Sequence, residues 1–157
     1  MVGKYHIEIV TKRVRFLLEV KKKYTIICGD SGIGKSIFVN YVMEYQLYGR
    51  SSGLNLKCDV PIKRILNAED FNTFSGCILV IDEGDDVLKS KDIASLFKDS
   101  DNYFIIVSRE KLGYLPYSYK EIYEIESSKI QDKFYEFRFV NKYHNVDNMI
   151  LPDLVLT

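Results

Sequence analysis

Eight residues constrain this chain more than any others. Gly29-Asp30-Ser31-Gly32-Ile33-Gly34-Lys35-Ser36 fits the pattern G-x-x-x-x-G-K-[ST] at every fixed position. The run follows Tyr24 to Cys28, a short apolar stretch that reads as a buried strand. It opens a helix expected over residues 36–48. There Ile37, Tyr41 and Tyr48 fall on one side, with Phe38, Val42 and Tyr45 beside them. Gly49 ends that helix, and Arg50 complements its negative end. Strand, glycine loop and helix in this order make an anion cradle. The glycines admit backbone angles that a Cβ forbids, and the amides from Ser31 to Ser36 converge as a nest at the positive helix end. Lys35 is expected to reach the β- and γ-phosphates of a nucleotide, and the Ser36 hydroxyl to sit on Mg²⁺.

A second signal lies 47 residues after Lys35. Ile78-Leu79-Val80-Ile81 is an apolar run that ends in Asp82-Glu83. An acid at the end of a buried strand can hold the metal ion of a bound nucleotide, so Asp82 is the metal candidate. Glu83, one residue on, is placed to polarise an attacking water. Gly84, Asp85 and Asp86 read as a solvated turn. Ser108 and Arg109 end the next apolar run, Tyr103 to Val107. Carboxyl ends of strands in an open α/β sheet face the ligand crevice. Ser108 could there touch the γ-phosphate or the water, and Arg109 could stabilise transition-state charge. The alternative is a polar strand end with a surface arginine.

Around this middle the chain alternates strand and helix. Residues 4–10 and 14–20 alternate at period two about Thr11-Lys12-Arg13, a hairpin without the Asn-Gly signal. Leu54, Leu56 and Cys58 read as a strand that Pro61 breaks; Asn67 caps a short helix; Ser90 caps a helix through Lys98. Residues 109–119 read as loop. Residues 121–126 and 133–140 read as a hairpin around Ser127-Ser128-Lys129, and an apolar tail runs from Met149 to Leu156. The expected fold class is α/β: a mainly parallel sheet with helices on both faces and antiparallel hairpins added at both ends. One domain is expected, with an N-terminal hairpin over 1–23, a nucleotide-binding core over 24–109 and a C-terminal hairpin and tail over 110–157.

Lys plus Arg and Asp plus Glu are each 22, so no global basic field favours nucleic acid. The apolar run Cys77 to Ile81 is far short of the roughly 20 residues of a membrane span. The first residues show no signal-peptide core, and Cys28, Cys58 and Cys77 lack a metal spacing. Together these features point to a reducing, cytoplasmic setting.

Gly29 to Ser36 and Asp82-Glu83 resemble the Walker A and Walker B motifs of the P-loop NTPase superfamily. They resemble in particular the class with a catalytic Glu beside the Walker B Asp, which includes AAA-type, STAND-like and ABC-type ATPases. The resemblance covers roughly residues 24–109. It implies ATP and Mg²⁺ as ligands, one strand inserted between the two motif strands, and Ser108 where AAA-type proteins carry a polar sensor. The chain departs from the pattern in having no Leu-Ser-Gly-Gly-Gln signature and no C-terminal helical lid. No Asn-Lys-x-Asp guanine motif occurs either, since Asn141-Lys142-Tyr143-His144 lacks the Asp.

Three functions fit these residues: an ATPase driving a conformational or assembly switch, a small-molecule or nucleoside kinase, and a non-catalytic nucleotide-binding regulator. A kinase would bring an arginine-rich lid, whereas residues 109–119 hold only Arg109 and Lys111. The 12 tyrosines suit either core packing or a protein interface. Nucleotide-dependent self-association is expected, with Arg109 the better and Arg50 the weaker candidate to act across a subunit boundary.

Overall fold

The structure is a computed structural model that describes residues 1–28, 33–110 and 112–141, with Ile33 described in its backbone alone. Thr11 builds the first hairpin. Its hydroxyl accepts the amides of Arg13 (3.1 Å) and Val14 (3.0 Å), and its own amide donates to the Val14 carbonyl at 2.9 Å. This side-chain turn does the work of the absent Asn-Gly. From it β1 (Tyr5–Val10) and β2 (Val14–Val20) pair antiparallel, with Ile7 opposite Leu18 and Ile9 opposite Phe16. The wholly buried β3 (Tyr24–Ile27) leads toward α1 (Ile33–Tyr48), which starts before the expected residue 36. Gly49, at φ 59°, ends α1 as expected.

β4 (Asn55–Lys57) and β5 (Ile62–Arg64) come next, then α2 (Asp70–Thr73) and β6 (Ile78–Asp82). After them come α3 (Ile93–Asp99), β7 (Tyr103–Val107), β8 (Lys120–Gln131) and β9 (Phe134–Val140). Asp70, rather than Asn67, ties down the start of α2: its Oδ2 accepts the amides of Leu66 (3.2 Å) and Asn67 (3.1 Å). The C-terminal hairpin turns at Asp132-Lys133, where Lys133 has φ 61°, rather than at Ser127-Ser128-Lys129. The tail from Met149 to Leu156 lies outside the described residues.

The expected α/β class is overturned. The nine strands form one curled, mixed sheet in the order β4-β1-β2-β9-β8-β3-β7-β6-β5, and the molecule is mostly strand, 27% helical. It is not a mainly parallel core with helices on both faces. Two physical reasons account for the difference. First, the terminal hairpins are not appendages. β9 pairs parallel with β2, setting Phe16 beside Phe137, and so joins both ends of the chain within the sheet. β4, which follows α1, pairs antiparallel with β1 at the outer edge. Second, only α1 is long. α2 has four residues and α3 seven, so the second face is packed by short pieces, with Phe71, Ile93, Phe97 and the loop residue Leu115 in its core cluster.

Strand alternation sorts the core into two clusters. One gathers Ile27, Val80, Ile105 and the β1–β2 residues Ile7, Ile9, Phe16 and Leu18 around Phe38, Val39 and Val42 of α1. The other gathers Ile26, Ile81, Phe104 and Ile106 with Phe71 and Phe97. Phe16 explains the curl. Its ring stacks on Phe137 at 4.8 Å and meets Phe38 at 5.9 Å and Tyr41 at 6.0 Å, so β2 and β9 bend over α1.

Candidate functional site

Three strand ends meet along one edge of the sheet. β8, β3, β7, β6 and β5 run parallel, so their carboxyl ends point the same way. Ile27 is the register partner of Val107, and Val107 that of Asp82, with β7 between β3 and β6. At about 4.8 Å per strand, Asp82 lies about 10 Å across the sheet from Ile27. The Ser108 amide donates to the Ile27 carbonyl and the Cys28 amide to the Tyr123 carbonyl, each at 2.9 Å. The chain is thus clamped on both sides up to the residue before Gly29. Gly29, Asp30, Ser31 and Gly32 lie outside the described residues, as does the Ile33 side chain.

Gly34, Lys35 and Ser36 form the first turn of α1. Gly34 fixes that turn against β8 and β9. A Cβ there would stand 3.1 and 3.3 Å from Ile125 and 3.3 Å from Phe137. Ile125 is two residues beyond Tyr123, the register partner of Ile27, so the turn sits just past the edge where β3 ends. Lys35 is half-buried and Ser36 exposed.

The acidic turn is more tightly built than its sequence suggests. The Asp82 amide donates to Asp85 Oδ2 at 2.9 Å, and the Asp85 amide returns to the Asp82 carbonyl at 3.0 Å. Arg64 grips the Asp85 carboxylate as a fork, at 2.5 and 2.9 Å, with both side chains nearly buried. Arg64 also donates to the Ile65 carbonyl at 2.7 Å, and its amide donates to Gln46 Oε1 of α1 at 2.6 Å. A chain of polar contacts therefore runs from α1 through β5 to the turn that presents Asp82 and Glu83. Asp85 is a structural anchor, which corrects its reading as part of a solvated turn; Gly84 and Asp86 are exposed as expected.

Glu83 and Arg109 face each other. Arg109 Nε stands 3.6 Å from the Glu83 carboxylate, which also accepts the Arg109 amide at 3.4 Å. Both side chains are exposed, and such pairs contribute little to stability. Ser108 is buried, and its hydroxyl accepts the Glu110 amide at 3.0 Å, which gives it a local turn-forming role. The structure thus brings Asp82, Glu83, Ser108 and Arg109 together at the ends of β6 and β7. Arg50 follows the far end of α1, about 22 Å from Lys35 at 1.5 Å per residue, so it is remote from this edge within one chain. Lys111 lies outside the described residues.

The donor chemistry fits a hard cation bound with phosphate. Ser36 and Asp82 offer hydroxyl and carboxylate oxygen, and Mg²⁺ commonly takes one or two protein oxygens with phosphate and water. Among the described residues no cluster of three or more His, Cys, Asp or Glu forms an all-protein metal cage. Sequence reasoning missed Arg64, Gln46, Ile125 and Phe137. The spacing of Asp82 to Asp85 was the one available signal, since an Asp often accepts nearby amides in a turn.

No protein-family model and no curated protein matches this chain. Among the described residues, no helix is long and apolar enough to cross a membrane.

Proposed function

We propose that this chain binds ATP with Mg²⁺ at Gly29–Ser36 and hydrolyses it to drive a conformational or assembly switch. The observation that carries the reading is the pairing of two signals. The glycine-lysine-serine run joins the carboxyl end of β3 to α1, and the acidic pair ends β6, one strand removed across β7. In this reading Lys35 binds the terminal phosphates, while Ser36 and Asp82 hold the cation. Glu83 accepts a proton from the attacking water. Mg²⁺, when bound, would supply charge neutralisation at the phosphates. The contact of Arg109 with Glu83 supports a low resting turnover, because the carboxylate that must meet water faces a guanidinium instead. A cytoplasmic setting belongs to the same reading.

Steady-state phosphate release from Mg-ATP and Mg-GTP tests it, with nucleotide binding measured alongside. Glu83→Gln is expected to lower turnover by roughly 10²- to 10³-fold while binding persists. Lys35→Ala is expected to abolish binding. Turnover unchanged in Glu83→Gln would sink the hydrolytic role, and binding unchanged in Lys35→Ala would sink the nucleotide site itself. A rise in turnover per chain with protein concentration is the outcome expected of self-association.

A further inference from the structure

The carboxyl end of β6 outlasts its outer neighbour. In the β5–β6 pair the even-numbered residues of β6 face β5. The Ile78 amide donates to the Pro61 carbonyl at 2.9 Å, and the Val80 carbonyl accepts the Ile65 amide at 3.1 Å. Arg64 is the last residue of β5 and the register partner of Val80. The Asp82 amide therefore points to a side where the strand has ended. Asp85 stands in for it. Its Oδ2 accepts that amide at 2.9 Å, and its own amide donates to the Asp82 carbonyl at 3.0 Å. Asp82 is thus held through the peptide groups on both of its sides, which fixes the direction in which its Cβ leaves the chain.

That direction is toward the α1 face of the sheet. Ile78 and Val80 belong to the core cluster around Phe38, Val39 and Val42, and Asp82 is next in the same alternation. Ile27 and Val107, in register with Asp82 across the sheet, belong to that cluster too. Asp82 therefore shares a face with the helix whose first turn carries Lys35 and Ser36. Its anchor is tied to the same helix. The Arg64 guanidinium forks onto Asp85, with both side chains nearly buried. The Arg64 backbone is bracketed by Gln46 of α1, which accepts its amide at 2.6 Å and donates to its carbonyl at 3.4 Å. One arginine thus joins the helix that presents Ser36 to the turn that presents Asp82. A cation shared by those two oxygens needs their separation fixed, and groups that orient metal ligands from behind govern metal affinity.

We infer that Arg64 and Asp85 are positioning residues for the cation site: they hold Asp82 at the place, relative to Ser36, where a Mg²⁺ ion bound with nucleotide is shared between the two. Neither is placed as a ligand, since the Asp85 carboxylate is already taken by the Arg64 fork and the Asp82 amide. This role rests on the cation role proposed above for Asp82. Stabilising the fold alone would need the ion pair, but not the contact between Asp85 and the Asp82 amide.

The deciding measurement is the affinity of the full chain for a fluorescent, non-hydrolysable ATP analogue, in EDTA and with excess Mg²⁺. The ratio of the two reads the gain from the cation separately from the grip of the phosphate loop. Wild type is expected to bind more tightly with Mg²⁺, and Asp82→Asn to lose most of that gain. The double variant Arg64→Ala/Asp85→Ala leaves neither charge stranded. It is expected to match wild type in EDTA and to bind roughly tenfold or more weakly with Mg²⁺. Asn102→Ala controls for lost stability. Asn102 is buried just before β7, at the opposite end of the sheet, where it accepts the Cys77 amide and donates to the Phe74 carbonyl, each at 2.9 Å. That variant should keep the full gain. Three results overturn the positioning role and leave the nucleotide site standing: a double variant with the wild-type gain, one weakened equally in EDTA and in Mg²⁺, or an Asn102→Ala that loses as much. A wild type that binds no analogue or gains nothing from Mg²⁺, or an Asp82→Asn that keeps the gain, overturns the cation role of Asp82 and this role with it.

Discussion

Gly34 meets two demands at one position. Its place in the phosphate-loop pattern was legible from spacing, but the packing that also requires it was not, because Ile125 and Phe137 lie about a hundred residues away. Replacing it with Ala gains about 1 kcal/mol of helix propensity. The new methyl, however, must displace Ile125 and a Phe137 ring held in the stack with Phe16. Overpacking of that kind costs about 1–3 kcal/mol, so Gly34→Ala is expected to lower stability by about 1 kcal/mol net in urea denaturation. Trimming Ile125 to Ala in the same chain should relieve part of the clash. Glu136 is a second residue whose setting was invisible in sequence. It is buried, and Arg15, with Arg138 second, hydrogen-bonds its carboxylate and holds it below the usual carboxylate range. The stabilisation is therefore present above the ordinary carboxylate pKa and is lost as pH falls through the lower folded-state value. Glu136→Gln should be less stable than wild type at pH 7, and the gap should close in acid. A gap constant from pH 7 to pH 2 would show that the ion pairs contribute nothing through charge.

Local signals read the elements well and their partners poorly. β1, β2, β3, β6 and β7 fall within a residue or so of the segments that alternation or short apolar runs mark out, because burial of one or both faces writes itself into neighbouring residues. β5 went unread because three residues, Ile62–Arg64, are too few to show a period. β8 was read too short because its outer half is exposed and polar, and is held by pairing with β9 alone. The same limit applied at the site. Asp82 and Glu83 were legible from the apolar run before them, whereas Arg64, which fixes the turn after them, is remote in sequence. Breaking a nearly buried pair by removing one partner costs about 3–5 kcal/mol, because the other charge stays behind. Arg64→Ala is therefore expected to lose that much in chemical denaturation, with Asp85→Ala similar. The double variant should lose much less than the sum of the two, since neither charge is then left unpaired. Additive losses would mean that the two side chains act separately, and that the link from α1 to the acidic turn carries no energy.

At the scale of the molecule, the parallel pairing of β2 with β9 decides the architecture. Without it the chain would be a parallel group bearing two loose hairpins, which is the arrangement that sequence order suggests. With it, strands from both chain ends close over α1, and the core on that face spans β1, β2, β3, β6, β7 and α1 without a break. Phe16 is the residue on which this closure turns, being 1% exposed and in ring contact with Phe38, Tyr41, Phe137 and Phe139. Phe16→Ala is expected to cost about 3–5 kcal/mol. The location of the loss is more informative than its size. If the curled sheet unfolds as one unit, amide hydrogen exchange should accelerate by the same factor in β6 and β7 as in β1 and β2, because the slowest amides everywhere open through the same global event. Acceleration confined to β1, β2 and β9 would instead mark the terminal strands as a separable layer. In that case the edge that carries Asp82 and Ser108 would keep its protection, and the candidate site would stand on the parallel strands alone.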